Sequence, residues 1–467
     1  MIYILGIIVF GILAAVILNS WRRGVILLFV WLLLEDIVRR LVPGQPSQML
    51  LIKDAVVFLV YLSFLRFFIL KKQKIWKPPF MVALFLFAAV CVINVFNLNS
   101  PGLLFGLVGL RSYLWYLPLM FLGYYMFNDK ESLLKFSQNL VYISIPLCLF
   151  AIFQYFFYNT GWALVRSFSD ATQAHSFGLS IGYFKAGSIP LLSSVFGVSH
   201  RYGRFAMLLF FLGLGLLATE YPADLLIKKN KKLLLVSVFS SFLGIILSGV
   251  RAAFVLAVIG GILFFLLAKH NQAWHLWRNS RVWIFPLMAI ILLSLPVAFL
   301  FGNSAFFQIL SFSAAFHERI PSAVVAFYSA LANAKFFGMG TGTLSQGVTS
   351  IPGGAEWNIK NRILITQGFR FETGFGRTIF ELGIFGTIIF YIFWLCLFYQ
   401  GIKEIKILQN NNLRNLGLGI IIFSFLMLFW FTFVHQQVLG DATTLVILWF
   451  FLGVFFGLRK INREYTD

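Results

Sequence analysis

Charge is what this sequence has least of. Only 11% of its 467 residues are Asp, Glu, Lys or Arg, against about 25% in a typical soluble domain. With 60% hydrophobic residues and a mean hydropathy of +0.89, a water-soluble globular fold is excluded. Cysteine is also scarce. Cys91, Cys148 and Cys396 lie inside apolar runs, so they offer neither a disulfide framework nor a metal-binding spacing. No Asp-x-Asp pair and no His/Cys cluster is present, so nothing in the sequence asks for a metal. Alternating ten-residue patterns are missing, which excludes a membrane β-barrel. No internal repeat is evident, which weakens an inverted-repeat transporter. The net charge of +21 comes with no basic tail or recognition helix, so nucleic acid is not an expected partner.

What is present is a succession of apolar runs, each of a length that crosses a bilayer. They fall at 2–18, 24–38, 51–70, 79–96, 107–127, 136–158, 203–219, 232–249, 252–269, 283–301, 378–400, 415–434 and 442–458. The reading is an all-α polytopic membrane protein, a single integral membrane domain over 1–467, with about thirteen transmembrane helices whose ends are good to a few residues. Met1 to Leu18 is followed by Trp21-Arg22-Arg23. The charge comes after the apolar run and no small-residue cleavage site follows, so this is a retained span and not a signal peptide.

If the spans alternate, the short loops at 21–23, 71–74, 129–135, 229–232, 269–281, 403–414 and 459–463 share one face. Lys and Arg dominate all of them except the mixed loop at Asp129, which makes that face cytoplasmic. The N-terminus is then outside and the C-terminus inside. Two long segments, 159–202 and 302–377, are sent outward. Loops of this length are usually functional or disordered, and their apolar content argues against disorder.

The second outward segment holds Arg319, Lys335, Lys360, Arg362, Arg370 and Arg377 among Glu318, Glu356 and Glu372. Cations are normally scarce in outer loops, so this density points to an anionic ligand. Glu35, Asp36, Arg39, Arg40, Lys53, Asp54, Arg111, Arg251 and Glu381 stand at outward ends of spans. Such residues either line a cavity or pair and snorkel. Arg39, Arg40 and Lys53 have Glu35, Asp36 and Asp54 to pair with. Arg251 sits in a tight turn, Ser248 to Ala253, between two apolar spans; a guanidinium there can fork onto a phosphate. Arg204 and Arg111 are placed similarly. The glycine run Phe337 to Gly342 is either a phosphate loop or a turn that needs positive φ.

In order along the chain, Ser248 to Arg251, Arg319 to Ala334, Phe337 to Gly342, Glu372-Thr373 and Glu381 to Gly386 resemble the motif series of bacterial O-antigen ligases and the related O-antigen or exopolysaccharide polymerases. Leu34 to Arg40, Ile52 to Asp54, Gly109 to Tyr113 and Phe153 to Phe156 resemble the exopolysaccharide polymerase branch. Each motif is short; their order and placement carry the likeness. Ligases of this type have a His-Asn pair where this chain has Glu372-Thr373, which moves the reading toward the polymerases.

The resemblance implies a multi-pass protein of the bacterial inner membrane. It implies transfer of a polyprenyl-diphosphate-linked glycan to the hydroxyl of an acceptor glycan, without cofactor or metal. Partners would be the two glycans, the lipid bilayer and other polysaccharide-assembly proteins. The departing diphosphate needs preorganised cations, and the acceptor hydroxyl needs a base. Glu372, Arg251 and Arg319 are the catalytic candidates. Arg204, Arg370, Arg377 and Arg111 are the candidates for the diphosphate. Arg377 has a second reading as a headgroup anchor, and Glu372 as an ion-pair partner of Arg370. Glu381 reads as a residue that caps or orients the site. A ligase acting on a lipid or protein acceptor and a lipid-linked sugar flippase or transporter are the competing functions.

Overall fold

The computed structural model describes residues 2–41, 51–72, 75–157, 185–186, 189–190, 192–218, 231–268 and 373–463, and within 324–357 residues 324–325, 327–328, 330–332, 334, 336–345, 348, 351–354 and 356–357. These are helical almost throughout. In chain order the helices are α1 (Ile2–Asn19), α2 (Trp21–Leu41), α3 (Ile52–Lys71), α4 (Met81–Val95), α5 (Leu103–Leu110), α6 (Leu119–Met126), α7 (Lys130–Tyr142) and α8 (Ser144–Phe157). There follow α9 (Ser199–Leu217), α10 (Lys231–Leu247), α11 (Arg251–Ala268), α12 (Gly374–Ile407), α13 (Asn411–Phe433) and α14 (Ala442–Arg463). A π-helical segment, Arg111–Trp115, joins α5 toward α6, and a 3-10 turn, Gln436–Leu439, precedes α14. Among the described residues the strands are a two-residue antiparallel ladder, β1 (Lys185–Ala186) with β2 (Ile189–Pro190).

Short polar side chains set several helix starts by accepting the first free backbone N–H groups. Asp129 accepts from Ser132 N at 2.7 Å and opens α7. Thr373 accepts from Gly376 N at 3.2 Å and opens α12. Asn410 accepts from Asn412 N and Leu413 N and opens α13. The stretch 129–135 read as a loop is therefore mostly the first turns of α7. Likewise α12 begins at Gly374, inside the segment read as outer loop, because Thr373 caps it.

Among the described residues, six helical stretches are long and apolar enough to cross a membrane: Leu103–Met126, Lys130–Phe156, Arg251–Ala268, Gly374–Ile407, Asn411–Phe433 and Ala442–Arg463. The expected thirteen spans exceed this. α2 and α3 carry several charges near their ends, α9 starts with two arginines in its first two turns, and α4 is only 15 residues long. The expected span at 283–301 lies outside the described residues.

α14 and α13 form the centre. Their apolar windows are 94% and 83% buried, compared with 33% for α11 at the periphery. α6 lies directly on α14. A Cβ at Gly123 would stand 2.1 Å from the Phe450 carbonyl oxygen, and one at Gly453 2.0 Å from that of Met120. Small residues let the two backbones approach, which is how helices gain contact when lipid removes the hydrophobic drive. Aromatic rings fill the rest: Phe29 meets Phe450 edge-on at 5.1 Å, and Phe87 stacks on Phe393 at 5.4 Å. Phe85, Val82, Phe58 and Leu266 face outward, an apolar surface suited to lipid and not to water.

Side-chain contacts sort the helix ends into two groups. Arg22 to Asn128, Lys460 to Asn128, Arg459 to Glu404 and Asn415 to the Ala218 carbonyl join one group. The other group gathers the end of α2 and the starts of α3, α9, α12 and α14. The candidate site lies at this second end.

Candidate functional site

The site is a layer of buried charge that runs from helix to helix. At its centre Arg201, in the first turn of α9, bridges two carboxylates: Nη1 meets Asp36 Oδ2 at 2.8 Å and Nε meets Asp441 Oδ1 at 3.0 Å. Asp36 also takes the Gly197 N–H at 2.6 Å and pairs with Arg39 at 3.3 Å. Lys53 Nζ donates to Glu35 Oε1 at 2.5 Å. Arg204 reaches Asp441 at 3.5 Å, and donates to the His200 carbonyl at 3.0 Å and the Gln437 carbonyl at 3.3 Å. Asp441 sits in the turn before α14 and is further held by Thr444 N and Oγ1. Burial opposes its ionisation, but Arg201 and Arg204 outweigh that and hold its carboxyl well below the usual carboxylate range.

The π-helical segment extends the layer. Within it, Arg111 turns to Asp54 on α3 and Tyr113 to Glu381 on α12. Arg111 Nε donates to Asp54 Oδ2 at 2.8 Å, and Tyr116 donates its hydroxyl to Asp54 Oδ1. The Arg111 side chain stays 34% exposed.

Two motif segments far apart in sequence meet at α12. Gly383 (φ 72°, ψ 179°) breaks the helix nine residues from its start, roughly 14 Å along the axis. The break frees the carbonyls of Phe380 and Glu381, which a continuous helix would direct to residues 384 and 385. The glycine turn satisfies them: Met339 N donates to the Phe380 carbonyl at 2.8 Å and Gly340 N to that of Glu381 at 3.1 Å. A Cβ at Gly383 would lie 2.1 Å from the Phe336 carbonyl oxygen, so only glycine fits both the conformation and the contact. Asn97 Nδ2 fastens the turn from the other side, to the Phe337 and Gly338 carbonyls. The Glu381 carboxylate is fully buried. It accepts from Leu344 N at 2.8 Å, Tyr113 Oη at 2.7 Å and Arg377 Nε at 3.1 Å. Arg377 Nη2 donates to Ser345 Oγ at 2.9 Å, and its guanidinium lies 5.4 Å from the Tyr113 ring centre.

Arg251 differs from all of these. It is the first residue of α11, held by the turn in which Gly249 takes φ 65° and Ser248 Oγ bonds the Ile245 carbonyl. The turn packs on α9, where a Cβ at Gly203 would meet Ser248 Oγ at 2.8 Å. Arg251 is half-buried, with no ion pair or hydrogen bond among the described residues. In the layer as a whole, Arg39, Lys53, Arg111, Arg201, Arg204, Arg251 and Arg377 face Glu35, Asp36, Asp54, Glu381 and Asp441, an excess of positive charge.

The structure thus brings Arg204, Arg377, Arg111 and Arg251 to one end of the helices. The first three are engaged by protein groups, and the fourth has no such partner among the described residues. Glu372, Arg319 and Arg370 lie outside the described residues. Arg201, Asp441, Tyr113 and Ser345 were not singled out as site residues from sequence. A lone acid in the short turn between the last two apolar runs was the available signal for Asp441. Two histidines also meet here: the rings of His200 and His435 are 5.7 Å apart, and His435 Nδ1 accepts from Gln437 N at 3.1 Å.

In comparisons with known proteins, the chain matches no protein-family model and no curated protein.

Proposed function

We propose that the chain is a glycan polymerase of the bacterial inner membrane, extending a polysaccharide from a polyprenyl-diphosphate-linked donor at the outer face. The observation that carries this reading is the docking of the turn Phe337 to Gly342 on the Glu381 to Gly383 break, at the same end as Arg251, Arg204 and Arg111. These are segments on which the resemblance rests, and their contact supports treating them as parts of one site. The topology that goes with the proposal has thirteen spans, the charged layer outside, and the basic helix ends in the cytoplasm.

In the proposed reaction the acceptor hydroxyl oxygen attacks the anomeric carbon, and the bond from that carbon to the diphosphate oxygen breaks. The electron pair leaves with the diphosphate. Arg251, whose guanidinium donors are not engaged among the described residues, receives that growing charge, assisted by Arg319 and Arg370. Arg111 and Arg204 add field from behind. Arg377 holds Glu381 and thereby the glycine turn. Glu372 takes the proton of the hydroxyl.

The test is a reconstituted assay with a purified lipid-diphosphate oligosaccharide. Growth into ladders supports polymerisation, and one-step capture by another acceptor supports a ligase. Glu372→Gln should insert normally and lose extension; full activity in that variant removes its role as base. A second reading, a flippase for the same lipid-linked sugar, is favoured by the broken helix at Gly383, since discontinuous helices recur at transporter sites. Movement of labelled carrier across vesicles without bond cleavage would select it.

A further inference from the structure

At the opposite end of the helices two cations converge on one neutral oxygen. Arg22, in the first turn of α2, donates through Nη2 to the Tyr125 carbonyl at 3.2 Å and to Asn128 Oδ1 at 3.0 Å. Lys460, near the end of α14, donates to the same Asn128 Oδ1 at 3.3 Å. Neither has an ion pair among the described residues. The neighbouring Asp129 carboxylate caps α7 through Ser132 N and Oγ and offsets part of the Arg22 charge from a distance, so one negative charge stands against two positive ones. Arg22 Nε is buried and has no hydrogen-bond partner among the described residues. An amide oxygen does not balance two positive charges brought this close, so the pair favours an anion.

The surroundings indicate which anion. Ile26, Val30 and Leu34 follow Arg22 at four-residue steps, and are 47%, 44% and 42% exposed. Residues four apart share a helix face, so an outward apolar stripe runs down α2 from beneath the guanidinium. Trp76 stacks on Tyr124 at 4.3 Å at the same end, the kind of ring pair found at headgroup level. A cationic pair above an apolar stripe matches a phosphate head above an acyl chain. We propose that Arg22 and Lys460 bind the phosphate of an anionic phospholipid whose chain lies along Ile26, Val30 and Leu34. This assignment is independent of the glycan reading.

Native mass spectrometry of the detergent-purified full chain tests it, with phosphatidylglycerol, phosphatidylcholine and inorganic phosphate as probes. Wild type should retain phosphatidylglycerol over phosphatidylcholine. The double variant Arg22→Gln, Lys460→Gln should bind it about twenty-five-fold more weakly, from about a fivefold loss per surface cation. Asn128→Asp, which supplies a carboxylate between the cations without removing either, should also weaken retention and guards against a folding defect in the double variant. Lys232→Gln, at the exposed start of α10 on the same end, should change nothing. Undiminished retention in Asn128→Asp, or an equal loss in Lys232→Gln, overturns the site. Inorganic phosphate binding as tightly as the lipid overturns the phospholipid as occupant.

Discussion

Arg377 and Arg251 occupy matching positions, in or beside the first turn of a helix at the same end of the molecule, and their surroundings are opposite. Arg377 is 3% exposed and tied to Glu381, Ser345 and the Tyr113 ring. Arg251 is half-buried and tied to nothing among the described residues. A buried guanidinium held by a carboxylate and a hydroxyl organises structure, because moving it would strand the carboxylate. A fixed guanidinium with free donors is available for a ligand. Equal charge at the same end of the fold therefore does not mean equal roles, and substitutions should separate them.

The largest effect is expected where the pinned region is cut. Glu381→Leu leaves Arg377 buried without its carboxylate and the Leu344 N–H without an acceptor. Breaking a buried pair by removing one partner costs about 3–5 kcal/mol. The expected result is a steep fall in folded yield and in the thermal midpoint of the detergent-solubilised protein. A midpoint like that of wild type would mean that Arg377 and Glu381 are not the fastening they look like. Gly383→Ala comes next. The new Cβ meets the Phe336 carbonyl oxygen in a positive-φ conformation, at about 1–3 kcal/mol of strain. It should loosen the glycine turn, read as faster hydrogen exchange at Met339 and Gly340 with α14 unchanged.

Arg251 is predicted to behave in the reverse way. Arg251→Lys keeps the charge and loses the fork, so stability should stay within about 0.5 kcal/mol of wild type, read as a nearly unchanged thermal midpoint. Chain extension should fall about tenfold, the loss of roughly one charge-assisted hydrogen bond. A stability loss with unchanged turnover would reverse the two roles.

Much of this contrast was readable before any coordinates. The pairing of Lys53 and Arg39 with Glu35 and Asp36 followed from their spacing at facing span ends, and Glu381 was read as an orienting residue. The all-helical fold followed from unbroken apolar runs. What was not readable is which arginine is left without a partner among the described residues. Arg377 precedes Glu381 by one helical turn, but Tyr113 and Ser345 complete its shell from 264 and 32 positions away, and only the folded chain brings them in. The π-segment that aims Arg111 and Tyr113 leaves no mark in Gly109 to Trp115. The break at Gly383 was hidden because one glycine in an apolar run usually stays helical; here a second glycine-rich turn supplies the donors that make breaking favourable. The described residues bear out apolar spans for six helical stretches; charged ends such as those of α2 and α3 reduce the apolar length of their helices.

The smallest expected effect concerns pH and Asp441. Its carboxyl is held below the usual range in the folded protein, against its burial, by Arg201 and Arg204. A depressed folded value means that its contribution is fully present above the ordinary carboxylate pKa of about 3.9 and is lost as pH falls below it. The thermal midpoint of wild type should thus be flat from neutral pH down to about pH 4 and decline below that. Asp441→Asn should start lower and show a shallower acid decline, the difference between the two curves closing as pH falls. The offset should be modest, because Arg201 keeps Asp36 and Arg204 keeps the His200 and Gln437 carbonyls. Parallel curves would show that Asp441 is not the titrating partner, and that Asp36 carries the ion pair that closes the α2, α9 and α14 ends together.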